Sequence, residues 1–505
     1  LSRPLVLIPL DDRPVTSVLP ARIAAVAGLE LRTPPRAQLG NLVKGADLPA
    51  VLEWLQAEAS GADALIVALD TLAYGGLVSS RRDRHALADV QARLATLIEI
   101  KKANPALPIY AFSTLMRLSE HASIEEEKDY WATYGPLIYR YSFHQDRYEQ
   151  HGDIEDLTAA TAARQAIPEA VLEDYLDTRR ERFQINRMLV DWTRRNLFDL
   201  LVIPQDDTAR YGLNVKEMRQ LRQDVEAANL GARVLMYPGA DEVASTLVGR
   251  HLNRVRRRVP TIAVRYSTPY GGGLTSLYED RPLEQTIAAH VQAVGGRLVP
   301  AGGLKTDIAL FVNTPSTAQG DLALRMGLEK VDTPKRDLQP FVEAIQNSYS
   351  PVALADVAYA NGADLALFEL FKKHMDLMAF AAWNTSGNTL GTVLAHASAA
   401  IDPAARDSAP HRHLLMERLA DDLLYQAYLR PTLQQAWASG RSIADLQAEL
   451  SGQMLALWRR YLHRIPVGDL QAHFPWDRLF EVEVHVRPVD LDGAVPEEVP
   501  SPDVV

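Results

Sequence analysis

Two adjacent carboxylates close the apolar run Leu200-Leu201-Val202-Ile203-Pro204-Gln205-Asp206-Asp207. Carboxylates this close cannot both ionise easily. One acquires the raised pKa of a general acid while the other stays charged. Breaking a glycosidic bond requires that division of labour: one group protonates the departing oxygen and the other steers the attack. Asp206 and Asp207 are therefore the first candidates for chemistry. A helix cap and a salt bridge would explain the same pair without chemistry.

The arrangement recurs. Leu5-Val6-Leu7-Ile8-Pro9-Leu10 runs into Asp11-Asp12-Arg13-Pro14, where Pro14 keeps Arg13 out of helical geometry and fixes the loop. Asp12 is a candidate for proton transfer. Asp11 and Arg13 could position a hydroxyl or an anion, or lock the loop as an ion pair. Ala64 to Asp70 leads into Thr71-Leu72-Ala73-Tyr74-Gly75-Gly76, which offers Asp70 as a carboxylate and Tyr74 as an aromatic platform beside a flexible glycine pair. Asp241-Glu242 follows Val234 to Ala240 and competes with Asp206-Asp207, although helix capping suits Asp241 better. Trp383-Asn384-Thr385-Ser386-Gly387-Asn388 joins an indole to amides able to bind hydroxyls, and also reads as a plain turn. Arg117, His121 and Arg265 follow or sit on other apolar runs; His121 is a further acid or base candidate.

These residues fall where apolar runs of five to eight residues end, and the runs alternate with amphipathic stretches. That is the pattern of βα units with a parallel sheet. Strands are predicted near 5-10, 63-70, 108-115, 198-205, 232-238, 260-267, 307-313, 352-358 and 377-383, with shorter ones near 29-33 and 296-301. Helices lie between, including Ala86 to Lys102 and Val215 to Asn229, the latter capped by Asn214. Strand carboxyl ends form the active face of such folds. A (β/α)8-barrel-like domain over 1-400 is the preferred reading, because it would gather all these ends at one mouth. Two doubly wound α/β domains use the same alternation. Residues 119-186 read as a helical insertion whose Glu125-Glu126-Glu127 run is its solvated face. Residues 401-505 read as a mainly helical region with helices at 412-428, 431-439 and 442-463, a strand at 479-486, and a loosely ordered tail from 488.

With 505 residues, 47% hydrophobic and 23% charged, the chain can bury a large core. A net charge of -11 argues against nucleic acid as a partner. No apolar run reaches the length of a membrane span. The absence of cysteine excludes thiolate zinc sites, disulfides and a cysteine nucleophile. His411-x-His413 is the one close histidine pair and reads as surface. No metal ligand set and no cofactor is assigned, and neither a dinucleotide loop nor a nucleophile elbow is present. A carbohydrate substrate is the expected partner, and self-association into a homo-oligomer stays open. A cytoplasmic location is expected, or an exported one if a leader preceded residue 1.

Ile8 to Pro14, Asp70 to Arg81 and Trp383 to Asn388 together resemble the bacterial family catalogued as domain of unknown function 4127. The likeness runs from the first strand to about residue 400 and implies no activity. Separately, adjacent acids after a strand resemble several hexosaminidases, in which one carboxylate orients the substrate's acetamido group and its neighbour protonates the leaving oxygen. The expectation is an exo-acting glycoside hydrolase on N-acetylated aminosugars. In it Asp206 polarises, Asp207 is the acid, and Asp12, Arg13, Asp70, Tyr74, Trp383 and Asn384 shape the subsite. If Arg13, Arg117 and Arg265 converge, an acidic sugar such as a sialoside becomes the better substrate. The rivals are a metal-dependent hydrolase using Asp11, Asp70 and Asp206, and a sugar-binding protein without catalysis.

Overall fold

A computed structural model describes residues 3–120, 122–302, 305–332, 336–371 and 376–488. The strands in chain order are β1 (Leu5–Ile8), β2 (Leu31–Arg32), β3 (Ala64–Ala68), β4 (Ile109–Phe112), β5 (Leu200–Val202), β6 (Val234–Leu235), β7 (Thr261–Tyr266), β8 (Arg297–Val299), β9 (Ile308–Asn313), β10 (Gly320–Asp321), β11 (Val352–Asp356), β12 (Tyr359–Ala360), β13 (Ala379–Ala381), β14 (Val467–His473) and β15 (Glu483–Pro488). The fold is α/β with parallel sheets. Two hydrogen-bonded ladders carry it, β2-β1-β3-β4-β5-β6 and β13-β11-β9-β7-β8. Among the described residues no ladder joins the two into a closed ring, so the pairing matches the doubly wound alternative. In each sheet the chain reverses direction beside its first strand, between β1 and β3 and between β7 and β9. Such switch points open a crevice at the strand carboxyl ends.

Burial follows from helices covering both faces of each sheet. Every residue of β1, β3, β9 and β11 is buried, as expected where neither face meets water. Alternate side chains serve different cores. Leu5, Leu7, Ile66 and Val202 share one core with Ile262, Leu310 and Ala355 of the second sheet. Val6, Ile8, Leu65 and Val67 pack the other way, against helices such as Leu48–Ala59 and Leu87–Ala103.

The shared core is therefore a helical layer between the sheets, built by helices Val243–Val255 and Ser386–Ala399. All of Ser386–Ala399 is buried. It is small-residue-rich because the packing leaves no room: a Cβ on Gly391 would lie 2.1 Å from Glu242 Cγ, and one on Gly387 2.2 Å from the carbonyl oxygen of Pro238. The insertion between β4 and β5 forms three helices, Trp131–His151, Ile154–Gln165 and Glu169–Arg194, with a small core around Trp131, Ile138, Leu172 and Tyr175. The helices after 400 cover the outer face of the second sheet, sharing a core with Phe311, Leu354 and Phe380. No described helix is long and apolar enough to cross a membrane.

Three local expectations change. The helix expected over Val215 to Asn229 with Asn214 as its cap runs over Leu213–Ala227, with Gly212 at φ 148° before it, and the Asn214 amide bonds Thr208 instead. The late strand is β15 at Glu483–Pro488, paired antiparallel with the unanticipated β14, and 479-482 form a loop. Residues 489-505, expected as a loose tail, lie outside the described residues.

His411 is not a surface residue. It is buried, and its Nδ1 lies 3.1 Å from Nε2 of His396, joining Ala409–Arg418 to the central helix. Burial, with Arg406, lowers the His411 pKa to about 4; burial and the neighbouring His411 push His396 well below its usual range. Unfolded histidines titrate near 6.5. The pair's contribution is therefore complete above about pH 6.5 and is lost as pH falls toward 4. Thermal melts should show stability declining by roughly 1–3 kcal/mol from pH 7 to pH 5, and His411→Gln, which cannot protonate, should flatten that decline.

Candidate functional site

The carboxyl ends of the first sheet carry a continuous chain of ion pairs. After β1, Arg13 is buried and its guanidinium is bound on two sides. Nε and Nη2 reach Asp11 at 3.0 and 2.8 Å, and Nη2 and Nη1 clamp the two oxygens of Asp241 at 2.7 and 3.2 Å. Asp241 stands at the end of β6, so this bidentate pair ties two distant strand ends together. Burial pushes Asp241 up to about 6, against the pull of Arg13. The Asn384 amide, after β13 of the second sheet, donates to Asp241 at 3.0 Å.

After β5, Asp206 pairs with the buried Arg81, and Asp207 accepts from Arg117 at 3.0 Å. Glu126 links them: one oxygen accepts from Arg81 at 2.7 Å and forms an ion pair with Arg117 at 3.2 Å, and the other accepts from Arg478 at 2.9 Å. Burial would raise the pKa of Glu126, but the guanidinium groups of Arg117, Arg478 and Arg81 prevail and hold it well below the usual carboxylate range. Arg478 also binds Glu481, which lies 3.8 Å from Arg13. Trp476 lies between the guanidinium groups of Arg13 and Arg478, 5.2 and 4.6 Å from its ring, and donates to Asp12 at 2.7 Å. Burial raises the pKa of Asp12, opposed by that bond.

Asp207 differs from its neighbours. A third of its side chain stays exposed, against 15% for Asp206. Its backbone is left-handed at φ 38°, an uncommon conformation for a residue with a Cβ. Burial within the protein and then the charge of Asp206 push its pKa up to about 7, with Arg117 and Arg81 opposing. One oxygen of Asp206 and one of Asp207 have no hydrogen-bond partner among the described residues, whereas the arginine forks around them are occupied. The site thus combines a carboxyl that titrates near neutrality with free acceptor oxygens.

The structure brings Asp11, Asp12, Arg13, Arg117, Asp206, Asp207, Asp241 and Asn384 to this face. Other candidates lie elsewhere. Glu242, next to Asp241, turns into the inter-sheet layer, where it is fully buried 3.2 Å from His290. Asp70 is buried and bound by the backbone and hydroxyl of Thr114, both at 2.8 Å, so it clamps β3 to β4; burial raises its pKa to about 6. Tyr74 is covered by the Arg182 guanidinium 3.7 Å above its ring. Trp383 is buried, its ring 5.6 Å from Phe480, and offers no open stacking face. Arg265 is exposed on β7 of the second sheet. His121 lies outside the described residues.

Arg81, Glu126, Glu127, Arg478 and Glu481 were not anticipated. Glu126 and Glu127 are not a solvated face: Glu126 pairs with Arg81, Arg117 and Arg478, and Glu127 is buried against Arg81 and Arg117. The signal was available in three consecutive acids soon after a strand end, with Arg117 nearby. Nothing in the sequence linked them to Arg478. Among the described residues no group of three or more histidine or acidic side chains is placed to hold a metal ion.

The chain matches the family described as Protein of unknown function (DUF4127) over residues 5–485 and belongs to it. No curated protein and no solved structure matches it. The segments that carry the family likeness supply Asp11 to Arg13, Arg81 and Asn384.

The charge of Glu126 raises the pKa of Asp207 and also occupies Arg117. Glu126→Gln should therefore lower the Asp207 titration midpoint by on the order of one pH unit, read by carboxyl-carbon NMR. Glu126→Ala, which removes one carboxylate from three guanidinium groups that each keep another, should destabilise the fold by roughly 1–3 kcal/mol in urea titrations.

Proposed function

We propose that the chain is a hydrolase of glycosidic bonds, acting on a neutral, hydroxyl-rich sugar such as an N-acetylated aminosugar, with Asp207 as general acid. The observation that carries this reading is a partly exposed carboxyl raised to about 7 beside an ion-paired carboxylate. A general acid works best when its pKa lies near the working pH, and a second carboxylate can orient the attacking group or stabilise positive charge as the bond breaks. In this reading Asp207 protonates the leaving oxygen. Asp206, fixed by Arg81, faces the sugar with its free oxygen.

The hydrogen-bond inventory favours a neutral substrate over an acidic one. Arg13 and Arg117 are occupied by carboxylates, and Arg265 lies on another sheet, so the convergence that would favour a sialoside is not met. Among the described residues, the guanidinium groups bonded to Asp206 and Asp207 are already paired with carboxylates, so an anion arriving there would have to displace one. Sugar hydroxyls and an amide N–H are donors and suit the free oxygens of Asp206 and Asp207.

The test is a panel of nitrophenyl glycosides assayed with and without chelator. Activity should fall above about pH 7, as Asp207 loses its proton, and Asp207→Asn should lower kcat about 10²–10⁴-fold with the melting temperature retained. Full activity in Asp207→Asn would remove it from the mechanism. Loss of activity with chelator, restored by a divalent cation, would favour the metal-dependent alternative.

A further inference from the structure

The second sheet also reaches the rim that holds Asp207, through the connection after β7. There the backbone N–H of Thr208, next to Asp207, donates to the carbonyl oxygen of Tyr278 at 3.0 Å. Tyr278 is left-handed at φ 65°, as Asp207 is at φ 38°, so two residues that ordinarily avoid this conformation adjoin across one backbone hydrogen bond. Such conformations persist only where surrounding contacts over-determine them, and they concentrate at ligand sites.

Here the contacts are visible. The Tyr278 hydroxyl donates to Asp321 at 2.6 Å, and Asp321 accepts further from the Asn361 amide at 3.0 Å and the backbone N–H of Leu324 at 2.9 Å. Asn361 is tied in turn to Asn384, whose carbonyl oxygen accepts its backbone N–H at 2.6 Å. Asp321 is fully buried, whereas Tyr278 is partly exposed. The phenol therefore has its proton committed to Asp321, which leaves its oxygen as an acceptor. Burial first, then Asp321 and the charge of Asp207, keep the phenol neutral by raising its pKa.

We infer that Tyr278 is a substrate-binding residue supplied by the second sheet, its hydroxyl oxygen accepting a hydrogen bond from a sugar hydroxyl or amide N–H held against Asp207. The inference rests on the neutral-sugar reading above and adds an acceptor from the second sheet, on the residue whose backbone carbonyl holds Thr208 beside Asp207. A ligand bound by both must present donors to each, as a pyranose ring does and a simple anion does not.

The test is calorimetric binding of glucose and N-acetylglucosamine, both uncharged, to the full chain at pH 7. Both probes are donor-rich. Tyr278→Phe, which keeps the ring and removes the oxygen, should weaken binding about tenfold with an unchanged circular dichroism spectrum. If that variant does not fold, Asp321→Asn replaces it: its amide can turn an N–H onto the phenol oxygen, occupy the lone pair, and should produce the same loss. Arg265→Ala, on the exposed strand, should bind like the parent. Equal affinity in the parent and a folded Tyr278 or Asp321 variant would overturn this inference alone. Failure of the parent to bind either probe would overturn it together with the neutral-sugar reading. Binding that depends on Tyr278, with no glycoside hydrolysed, would support it and remove the hydrolase.

Discussion

An arginine withdrawn from water must keep a counter-charge, and in this chain that requirement shapes the whole face at the carboxyl ends of the first sheet. Arg13, Arg81, Arg117 and Arg478 come from four separate segments, and each reaches carboxylates from other segments. A buried guanidinium left alone would be costly, so each pair fixes the approach of the elements that carry it. Arg13 sets the end of β1 against the end of β6. Arg81 holds the loop after β5, and Arg478 draws the loop before β15 onto the loop that follows β4. The helical layer beneath is correspondingly tight, with glycines where a Cβ would strike Glu242 or Pro238.

This network also explains why Asp206 and Asp207, neighbours in sequence, behave differently. Asp206 faces a guanidinium with almost no exposure of its own, while Asp207 meets one at the edge of the cluster. At that edge the loss of hydration exceeds what Arg117 returns, and the negative charge of Asp206 adds to the imbalance.

Much of the fold could be read from the chain because parallel strands buried on both faces appear as unbroken apolar runs. Leu5 to Ile8, Ala64 to Ala68 and Ile308 to Asn313 are such runs, and their ends mark the face where the polar residues gather. The runs do not say which strands neighbour one another. A barrel and two open sheets need the same alternation, and strand order depends on which side each crossover takes. The same limit applied at the site. The Asp206-Asp207 pair, the Arg13 loop and Asn384 could be found because each follows a strand. Asp241 and Glu242 could not be told apart, since one points to the rim and the other into the inter-sheet layer. Tyr74 and Trp383 are aromatic beside polar turns, yet Arg182 and Phe480, which cover them, lie about a hundred residues further along the chain.

The contribution of the second sheet was the least legible, for a physical reason. Tyr278 lies in no motif, and its partner Asp321 is forty-three residues away on a two-residue strand. Neither has meaning until the helical layer sets the carboxyl ends of both sheets beside one another. Once they adjoin, the first sheet presents carboxylates whose arginines are already occupied, and the second presents a phenol whose proton is already committed. The proposed preference for a neutral polyhydroxylated ligand rests on these two commitments together, more than on any single residue.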